Sequence, residues 1–196
     1  MMFPPQRHGF TLLEVILVVT IISIVSISGF SAIVNLQRTA RINGMYDKFL
    51  SFLDIARSYS INGKLVSIGC PPDSSPCIPK NFGAEIRSTT KNDSCSGSDY
   101  IATLFYEESL ALKKQPMDSF CIHPQTAISS APVNNTPLSF SYAPPFGLFT
   151  SSALLPNSYT PVALAFCDKT DLSNKVCNPS SYLKKITLYA HVGVPE

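Results

Sequence analysis

The chain is short and carries little charge. Its 196 residues suffice for one ordinary domain with an additional segment, but not for two full domains. Charged residues make up 14% and hydrophobic residues 45%, whereas a typical soluble protein has roughly 25% charged residues. The formal net charge of +2 argues against binding a polyanion through bulk charge, and the ordinary apolar content excludes intrinsic disorder.

An uncharged apolar run lies close to the N-terminus. Between Phe10 and Val34 the only ionisable side chain is that of Glu14. The run from Val15 to Val34 has the length, roughly 20 residues, that a helix needs to span the hydrocarbon core of a bilayer. We therefore expect residues 10–34 to form the transmembrane half of a long helix, which argues against a cytosolic globular enzyme.

The same helix is expected to continue beyond the apolar run, because no proline occurs between Pro5 and Pro71. Apolar residues there recur at steps of three and four, as in an amphipathic helix. Gly63 favours a helix end, since glycine readily adopts the left-handed conformation. The sequence thus predicts an amphipathic half over residues 35–63. Its apolar stripe consists of Ile42, Tyr46, Phe49, Leu53 and Ala56.

Residues 64–196 have a different composition, with most of the prolines, many serines and all six cysteines. Short β-like runs alternate there with turn-forming clusters, and their aromatic and β-branched content argues against a disordered tail. We expect one antiparallel β-sheet head domain packed on the amphipathic half of the helix, giving an α+β fold with disulfides. The expected strands are Val66–Cys70, Phe82–Arg87, Tyr100–Tyr106, Leu138–Tyr142, Pro161–Cys167 and Ile186–Val192.

The cysteines indicate an oxidising compartment. Six cysteines in a domain outside the membrane are typical of a disulfide set, although six permit many different pairings. The short spacings favour Cys70–Cys77 and Cys167–Cys177, which leaves Cys95–Cys121. A zinc site is the alternative, but the sequence has no pair of C-x₂₋₄-C ligand knuckles. We predict no metal site and no cofactor.

The N-terminal segment MMFPPQRHGFTLLE carries the most specific pattern, a short polar leader that ends directly before the apolar run. The heptapeptide GFTLLEV that begins at Gly9 closely resembles the cleavage and methylation motif of type IV prepilins. The resemblance implies that residues 1–9 are a prepilin leader, which a prepilin peptidase removes by cutting between Gly9 and Phe10. It also implies that Phe10 becomes the N-methylated terminus, and that Glu14 is the acid retained in the mature helix.

Two features of this segment leave alternatives open. The apolar stretch is longer than the core of roughly 7–15 residues in a secretory signal peptide. The small residues in Ser26-Ile27-Ser28 nevertheless resemble a signal-peptide cleavage site, so this alternative stays open. Arg7 favours a cytoplasmic N-terminus, whereas Arg38 and Arg41 flank the other side of the apolar run.

Glu14 has two compatible interpretations. A carboxylate in a transmembrane segment costs about 2.5–3.5 kcal/mol on insertion scales, so we expect a partner for it. In a filament this partner would be the α-amino group of Phe10 in a neighbouring subunit. Alternatively, Thr11-x-x-Glu14 fits a capping box, and an acid in the first turn interacts favourably with the helix dipole. Glu14 can therefore cap the free helix and form the pair on assembly.

A weaker resemblance extends over the remainder of the chain. Residues 53–70 are similar to the helix end and the first strand of H-type pseudopilins and FimT-like minor pilins. Residues 138–142 and 147–150 resemble the next β pair of these families, and residues 185–193 resemble their last strand. The chain departs from these families in two ways. Its membrane segment contains Gly29 but no helix-breaking proline, and its C-terminus lacks the basic motif through which some FimT-like proteins bind DNA.

These features predict a minor pilin or pseudopilin, a structural subunit of a type IV pilus or of a type II secretion pseudopilus. The expected partners are other pilin or pseudopilin subunits, bound through the N-terminal helix, and the prepilin peptidase. The expected location is the bacterial inner membrane, crossed once with the N-terminus cytoplasmic and the head domain periplasmic or extracellular, followed by incorporation into the filament.

DNA capture for uptake during competence is the alternative function. Phosphate contacts need clustered basic side chains. Each candidate group also suits a solvated face, and nucleic acid is therefore a less favoured partner. The candidates are Arg87 with Lys91, Lys113 with Lys114, and Lys184 with Lys185.

Catalytic residues are not expected. The sequence has no phosphate-cradling glycine loop, no H-E-x-x-H and no G-x-S-x-G. His123 and His191 lie in strand-like contexts without a carboxylate partner nearby in sequence. Glu107 and Glu108 are adjacent, so in a strand they would point to opposite faces and could not converge as an acid pair.

Overall fold

A computed structural model describes residues 11–68, 70–71, 76–90, 94–95, 97–108, 113–131, 137–151, 162–173, 176–179 and 182–188. These residues form one long N-terminal helix and antiparallel β-sheets, which confirms the predicted α+β fold. In chain order the elements are α1 (Leu12–Ile61), β1 (Asn81–Ser88), β2 (Tyr100–Glu107), β3 (Lys114–Cys121), β4 (Thr126–Ala131), β5 (Leu138–Ala143), β6 (Leu148–Ser151), β7 (Val162–Asp168), β8 (Leu172–Ser173), β9 (Val176–Cys177) and β10 (Leu183–Leu188).

The chain forms two compact units, Met1–Ala40 and Arg41–Glu196, with the boundary inside α1. The end of α1 is fixed by its backbone. Gly63 has φ = 61°, its N–H donates to the Ser60 carbonyl, and the N–H of Lys64 donates to the Tyr59 carbonyl at 3.0 Å. This pair of bonds is a Schellman cap, and it occurs where the sequence predicts the helix to end.

The strands that the structure describes are distributed over three sheets, whereas the sequence analysis expects one. The larger sheet has five strands in the order β3-β2-β1-β5-β6, a second has the order β10-β7-β4, and β8 pairs with β9 in a third. All of these pairings are antiparallel.

One predicted strand is wrong, and several of the observed strands were not predicted. The described residues of Val66–Cys70 do not form a strand. Val66 makes only an isolated bridge to Cys77, in a loop closed by a disulfide and flanked by prolines that cannot donate to a ladder. β3 was missed because it lies at a sheet edge, contains Pro116 and buries little of itself. β4, β8 and β9 were also not predicted. β6 lies where the resemblance places the second strand of a β pair, at residues 147–150, and it pairs with β5 as that resemblance implies. β10 begins before the predicted start at Ile186, and residues 189–192 lie outside the described part of the chain.

The second half of α1 joins the two larger sheets. Ile42, Leu53 and Ala56 of the predicted stripe are buried, and Tyr46 is half-buried. Phe49, also fully buried, shows the connection most clearly. The centroid of its ring lies 6.0 Å from that of Phe140 on β5 and 6.1 Å from that of Phe166 on β7. The amphipathic face of the helix therefore forms the centre of the core in the second unit.

Polar contacts fix the start of this buried helix segment against the three-stranded sheet. Arg41 forms an ion pair with Asp168 at the end of β7, at 3.7 Å, and both side chains are largely buried. The hydroxyl of Tyr182 donates to Oδ1 of Asn43 at 2.6 Å. Because these contacts are directional, they specify the position of the helix along the sheet, which apolar packing alone specifies less strictly.

Gly83 on β1 is a position where only glycine fits. A Cβ there would lie 2.3 Å from the carbonyl oxygen of Phe140 and 2.7 Å from Cζ of Phe105. Phe105 is the antiparallel partner of Gly83 on β2, and its ring covers the glycine. Gly44 on α1 contrasts with this position, since a Cβ there would meet nothing within 4 Å.

The two glycines should respond to alanine with opposite signs. Gly83→Ala should lower the free energy of unfolding by about 1–3 kcal/mol, because a crowded core must shift its backbone. Gly44→Ala should raise it by about 0.5–1 kcal/mol, because alanine favours the helix. Denaturant unfolding of the full-length chain in detergent, followed by near-ultraviolet circular dichroism, measures both. Equal effects of the two substitutions would contradict the packing described for Gly83.

Tyr142 on β5 is the buried phenol with the largest perturbation among the described residues. Burial raises the pKa of Tyr142 from 10.0 to about 12; Arg57 lowers this pKa and Asp54 raises it. The folded state thus retains a proton that the unfolded state releases near its own lower pKa. Tyr142 therefore contributes stability that is fully present below pH 10.0 and lost as the pH rises through about 12.

A tyrosinate absorbance titration of the native protein should show one ionisation near pH 12. Tyr142→Phe should remove this late ionisation, since it removes the desolvated hydroxyl. Tyr182→Phe, at an exposed tyrosine, is the matched control and should leave it in place. Persistence of the late ionisation in Tyr142→Phe would show that another group is responsible.

Candidate functional site in the N-terminal helix

Thr11 and Glu14 form the first turn of α1. The backbone N–H of Glu14 donates to Oγ1 of Thr11 at 3.3 Å and to the Thr11 carbonyl at 3.1 Å, and the N–H of Val15 donates to the same carbonyl at 3.2 Å. Thr11 therefore acts as the N-cap residue, as the capping interpretation requires. Gly9 and Phe10, the predicted cleavage and methylation residues, lie outside the described residues, so their roles stay predictions.

The side chains that follow Glu14 form a continuous apolar surface. From Leu12 to Leu36 the large apolar side chains of α1 are exposed, several of them by more than 60%. The helix is long and apolar enough to cross a membrane, and no part of its most apolar stretch is buried among the residues that the structure describes. Glu14 is the only charged residue from Thr11 to Leu36, so its carboxylate lies at the start of a surface that water solvates poorly.

The hydroxyl groups within the apolar stretch form bonds inside the helix. Thr20 donates to the Leu17 carbonyl at 2.8 Å, and Ser23 donates to the Val19 carbonyl at 2.8 Å. Ser26 makes the equivalent bond to the carbonyl of Ile22 at 2.7 Å. Hydroxyl donors satisfied in this way need no water, which suits a helix in lipid. A carboxylate has no N–H or O–H to donate when ionised, so Glu14 requires a donor from elsewhere.

All six cysteines are in disulfides: Cys70–Cys77, Cys95–Cys121 and Cys167–Cys177. This is the pairing that the short spacings favour. No thiol remains to bind zinc, and within the described residues no group of three metal-binding side chains occurs. Three disulfides in one unit indicate that it folds in an oxidising compartment.

Two of the basic side chains considered for DNA binding, those of Lys114 and Lys184, have partners within the protein. Lys114 forms an ion pair with Glu85, and its Nζ lies 4.7 Å from the centroid of the Phe105 ring. Arg87 lines the same surface groove as this pair, and Nζ of Lys184 lies 5.6 Å from the centroid of the Tyr46 ring. The acid in the groove offsets the attraction for phosphate. Lys91 lies outside the described part of the chain. Sequence reasoning missed the contact of Lys114 with Glu85, because the two residues are 29 positions apart.

The residues considered for catalysis do not converge. His123 lies in the loop between β3 and β4 rather than in a strand, is exposed, and accepts a bond from the Gln125 N–H through Nδ1. Glu107 accepts a hydrogen bond from Asn81, and the buried Glu108 accepts one from Gln115. The two acids thus have separate amide partners. His191 lies outside the described residues.

A segment near the N-terminus matches a known family model. Residues 4–30 fit the family model described as the prokaryotic N-terminal methylation motif. The chain has the N-terminus of a type IV pilin-like prepilin. No curated protein and no solved structure matches the chain.

This match confirms the prepilin resemblance over residues 4–30, at the level of the N-terminal methylation motif. The prepilin motif and the long apolar helix that follows it fit a membrane-anchored pilin-like protein. The head domain lies outside the matched residues, so its role must be argued from its own surface.

Proposed function

We propose that the chain is a minor pilin or pseudopilin, a processed structural subunit of a type IV pilus or of a type II secretion pseudopilus. One observation supports this most strongly: the methylation motif over residues 4–30 precedes an exposed apolar helix with a single acid in its first turn. A helix of this kind is stable only in lipid or against other apolar helices, and a filament of bundled helices provides the second environment.

The membrane topology follows from the same proposal. Residues 1–9 lie in the cytoplasm as the leader, residues 10–34 cross the inner membrane, residues 35–63 form the amphipathic half, and residues 64–196 form the head on the opposite side. The three disulfides support a periplasmic or extracellular head, because disulfides form and persist outside the reducing cytoplasm. They also favour a low-abundance subunit with a specialised head.

Processing creates the charge that Glu14 needs. Hydrolysis of the bond between Gly9 and Phe10 frees the α-amino group of Phe10, which remains basic after N-methylation. In the separate subunit the carboxylate of Glu14 benefits from the N-terminal end of the helix dipole. In the filament the amine of a neighbouring subunit's Phe10 pairs with Glu14 and fixes the axial register of helices that otherwise pack without direction. Apolar contacts with lipid are exchanged for contacts between helices.

Substitution of Gly9 tests the processing step. Gly9→Val should abolish cleavage by the prepilin peptidase, because a branched side chain occupies the position where the motif requires glycine. Immunoblotting and N-terminal sequencing of the membrane fraction measure this. The matched control is Gly29→Val, since a Cβ on Gly29 meets nothing within 4 Å; this variant should be processed normally. A mature-length product from Gly9→Val would contradict the assigned cleavage site.

Substitution of Glu14 tests assembly separately from processing. Glu14→Ala should leave membrane insertion and cleavage intact. It should reduce incorporation into filaments roughly tenfold or more, because the α-amino group of a neighbouring subunit's Phe10 would then be an unpaired charge in the apolar filament core. Quantitative immunoblotting of sheared filaments against membranes measures the ratio. Ser23→Ala, which removes a hydroxyl bonded only within its own helix, is the control. Normal incorporation of Glu14→Ala would overturn the pairing.

A further inference from the structure

The outer face of the five-stranded sheet carries a groove. On the inner face, Ala84 and Leu104 belong to the same hydrophobic cluster as Phe49 of α1. Because side chains alternate along a strand, neighbours such as Glu85 and Thr103 point to the opposite face. The groove there has a volume of about 450 Å³, within the roughly 300–1,000 Å³ of small-molecule sites. We call it the outer-face groove. Its polar or exposed lining residues are Glu85, Arg87, Thr103, Lys114, Pro116 and Ser119.

The strand register aligns polar side chains along the floor of the groove. Thr103 on β2 lies opposite Glu85 on β1 and opposite Ser119 on β3. Glu85 in turn lies opposite Ser139 on β5. Neighbouring strands are about 4.8 Å apart. A row of one carboxylate and three hydroxyl groups therefore crosses four strands at nearly regular intervals, over about 14 Å.

Two buried apolar side chains lie on either side of this row. Phe105 is buried beneath Lys114, whose Nζ lies 4.7 Å from the centroid of the ring. The same Nζ bonds to Glu85 and, at 3.1 Å, to Oγ of Ser139. Ile101, on the other side of the row, is buried as well. The groove thus presents polar atoms to a ligand, and its large apolar side chains lie below them.

A disulfide holds one wall of the groove in place. Ser94, from the connection between β1 and β2, lines the groove, and the adjacent Cys95 is bonded to Cys121 at the end of β3. At the base of the same connection, the N–H of Thr89 donates to the Asp99 carbonyl at 3.0 Å. Such constraints reduce the conformational entropy that a site loses when a ligand binds.

The charges of the groove do not favour a polyanion or a polycation. Residues 81–121, which contain β1, β2, β3 and their connections, include six acids and four bases, so this side of the sheet is not a basic surface. Within the lining, the acid Glu85 lies among the bases Arg87 and Lys114, and it is already paired with Lys114. A polyanion needs clustered basic side chains, and a polycation would meet the two bases.

An apolar molecule and an added β-strand suit the groove no better. Ile101 and Phe105 are already buried, so covering them removes little apolar surface from water. Pro116 on the edge strand β3 has no N–H to donate, and the pairing of β2 with β3 shifts its register next to Phe105. Prolines and bulges of this kind protect a sheet edge from further strands.

We propose that the outer-face groove binds a neutral oligosaccharide. A sugar hydroxyl both donates and accepts hydrogen bonds. The groove matches this property, because the carboxylate of Glu85 accepts, Arg87 and Lys114 donate, and the hydroxyls of Thr103 and Ser119 do both. Bonds to the charged groups are the stronger ones. The polar row is longer than one sugar ring, which favours a chain of linked sugars. The groove lies within the second compact unit, and its binding does not depend on the function proposed above.

Saturation-transfer NMR tests this binding. The full-length chain is embedded in phosphatidylcholine nanodiscs, which carry no sugar headgroup, and the probes are neutral tetrasaccharides of glucose, galactose, mannose or N-acetylglucosamine. At least one probe should receive saturation from the protein and none from empty nanodiscs. The affinity of that probe should change by less than about twofold between about 50 mM and about 500 mM salt, because a neutral ligand releases no counterions.

Substitutions in the polar row locate the site. Thr103→Val should weaken binding of the same probe about fivefold or more, since it leaves a hydrogen-bonding group of the ligand without a partner. Ser119→Ala, at an exposed residue, should weaken it about threefold, and Glu85→Ala about tenfold or more because a charged acceptor is lost. Thr150→Val, on β6 of the same sheet outside the groove, is the matched control and should bind like the original chain. Thermal unfolding of each variant establishes that the head remains folded.

Three results would overturn the inference. The first is the absence of saturation transfer to all four probes from a chain that thermal unfolding shows to be folded. The second is equal affinity of the original chain, Ser119→Ala and Glu85→Ala. The third is displacement of the bound sugar by a short DNA duplex together with loss of binding at high salt, which would make a polyanion the occupant.

Discussion

The apolar surface of the first half of α1 is the constraint on which the other features depend. Among the described residues its large side chains are exposed, and the hydroxyl groups of Thr20, Ser23 and Ser26 donate to carbonyls of the same helix. Such a surface requires lipid or other helices. Glu14 makes the requirement more specific, because an ionised carboxylate at this surface needs a cationic donor. Removal of the leader at Gly9 would provide that donor in the amine of Phe10.

The second half of the same helix has a different environment. Phe49 contacts aromatic rings from both larger sheets, and Arg41 fixes the start of the segment through Asp168. The disulfides add to the stability of the small sheets and loops around this core, by an amount typically of about 2–4 kcal/mol each. A single helix therefore contributes both the anchor and the central element of the head core. In the proposed function, this continuity connects a bundled filament interior to an exposed head.

Local sequence patterns predicted the features that depend on neighbouring residues. The three- and four-residue spacing placed Phe49 and Leu53 in the core, and Gly63 ended the helix, because both depend on helix geometry alone. The short separation of Cys70 and Cys77 along the chain favoured their pairing. The prepilin motif could also be recognised from the sequence, because it is confined to one short segment.

Features that depend on distant residues were not predictable in this way. β3 lacks an alternating apolar pattern, and its pairing with β2 depends on a sheet that other strands build. The contact of Lys114 with Glu85 joins positions that no periodicity connects. The division of the strands into three sheets likewise results from tertiary packing rather than from local preference.

Mass spectrometry of the N-terminal peptide from the native, membrane-extracted protein tests the central claim most directly. The account predicts that the chain begins with N-methylated phenylalanine at position 10, followed by Thr11. A chain that still begins at Met1, or one that begins beyond residue 25, would contradict the assignment of the leader and with it the proposed pairing of Glu14.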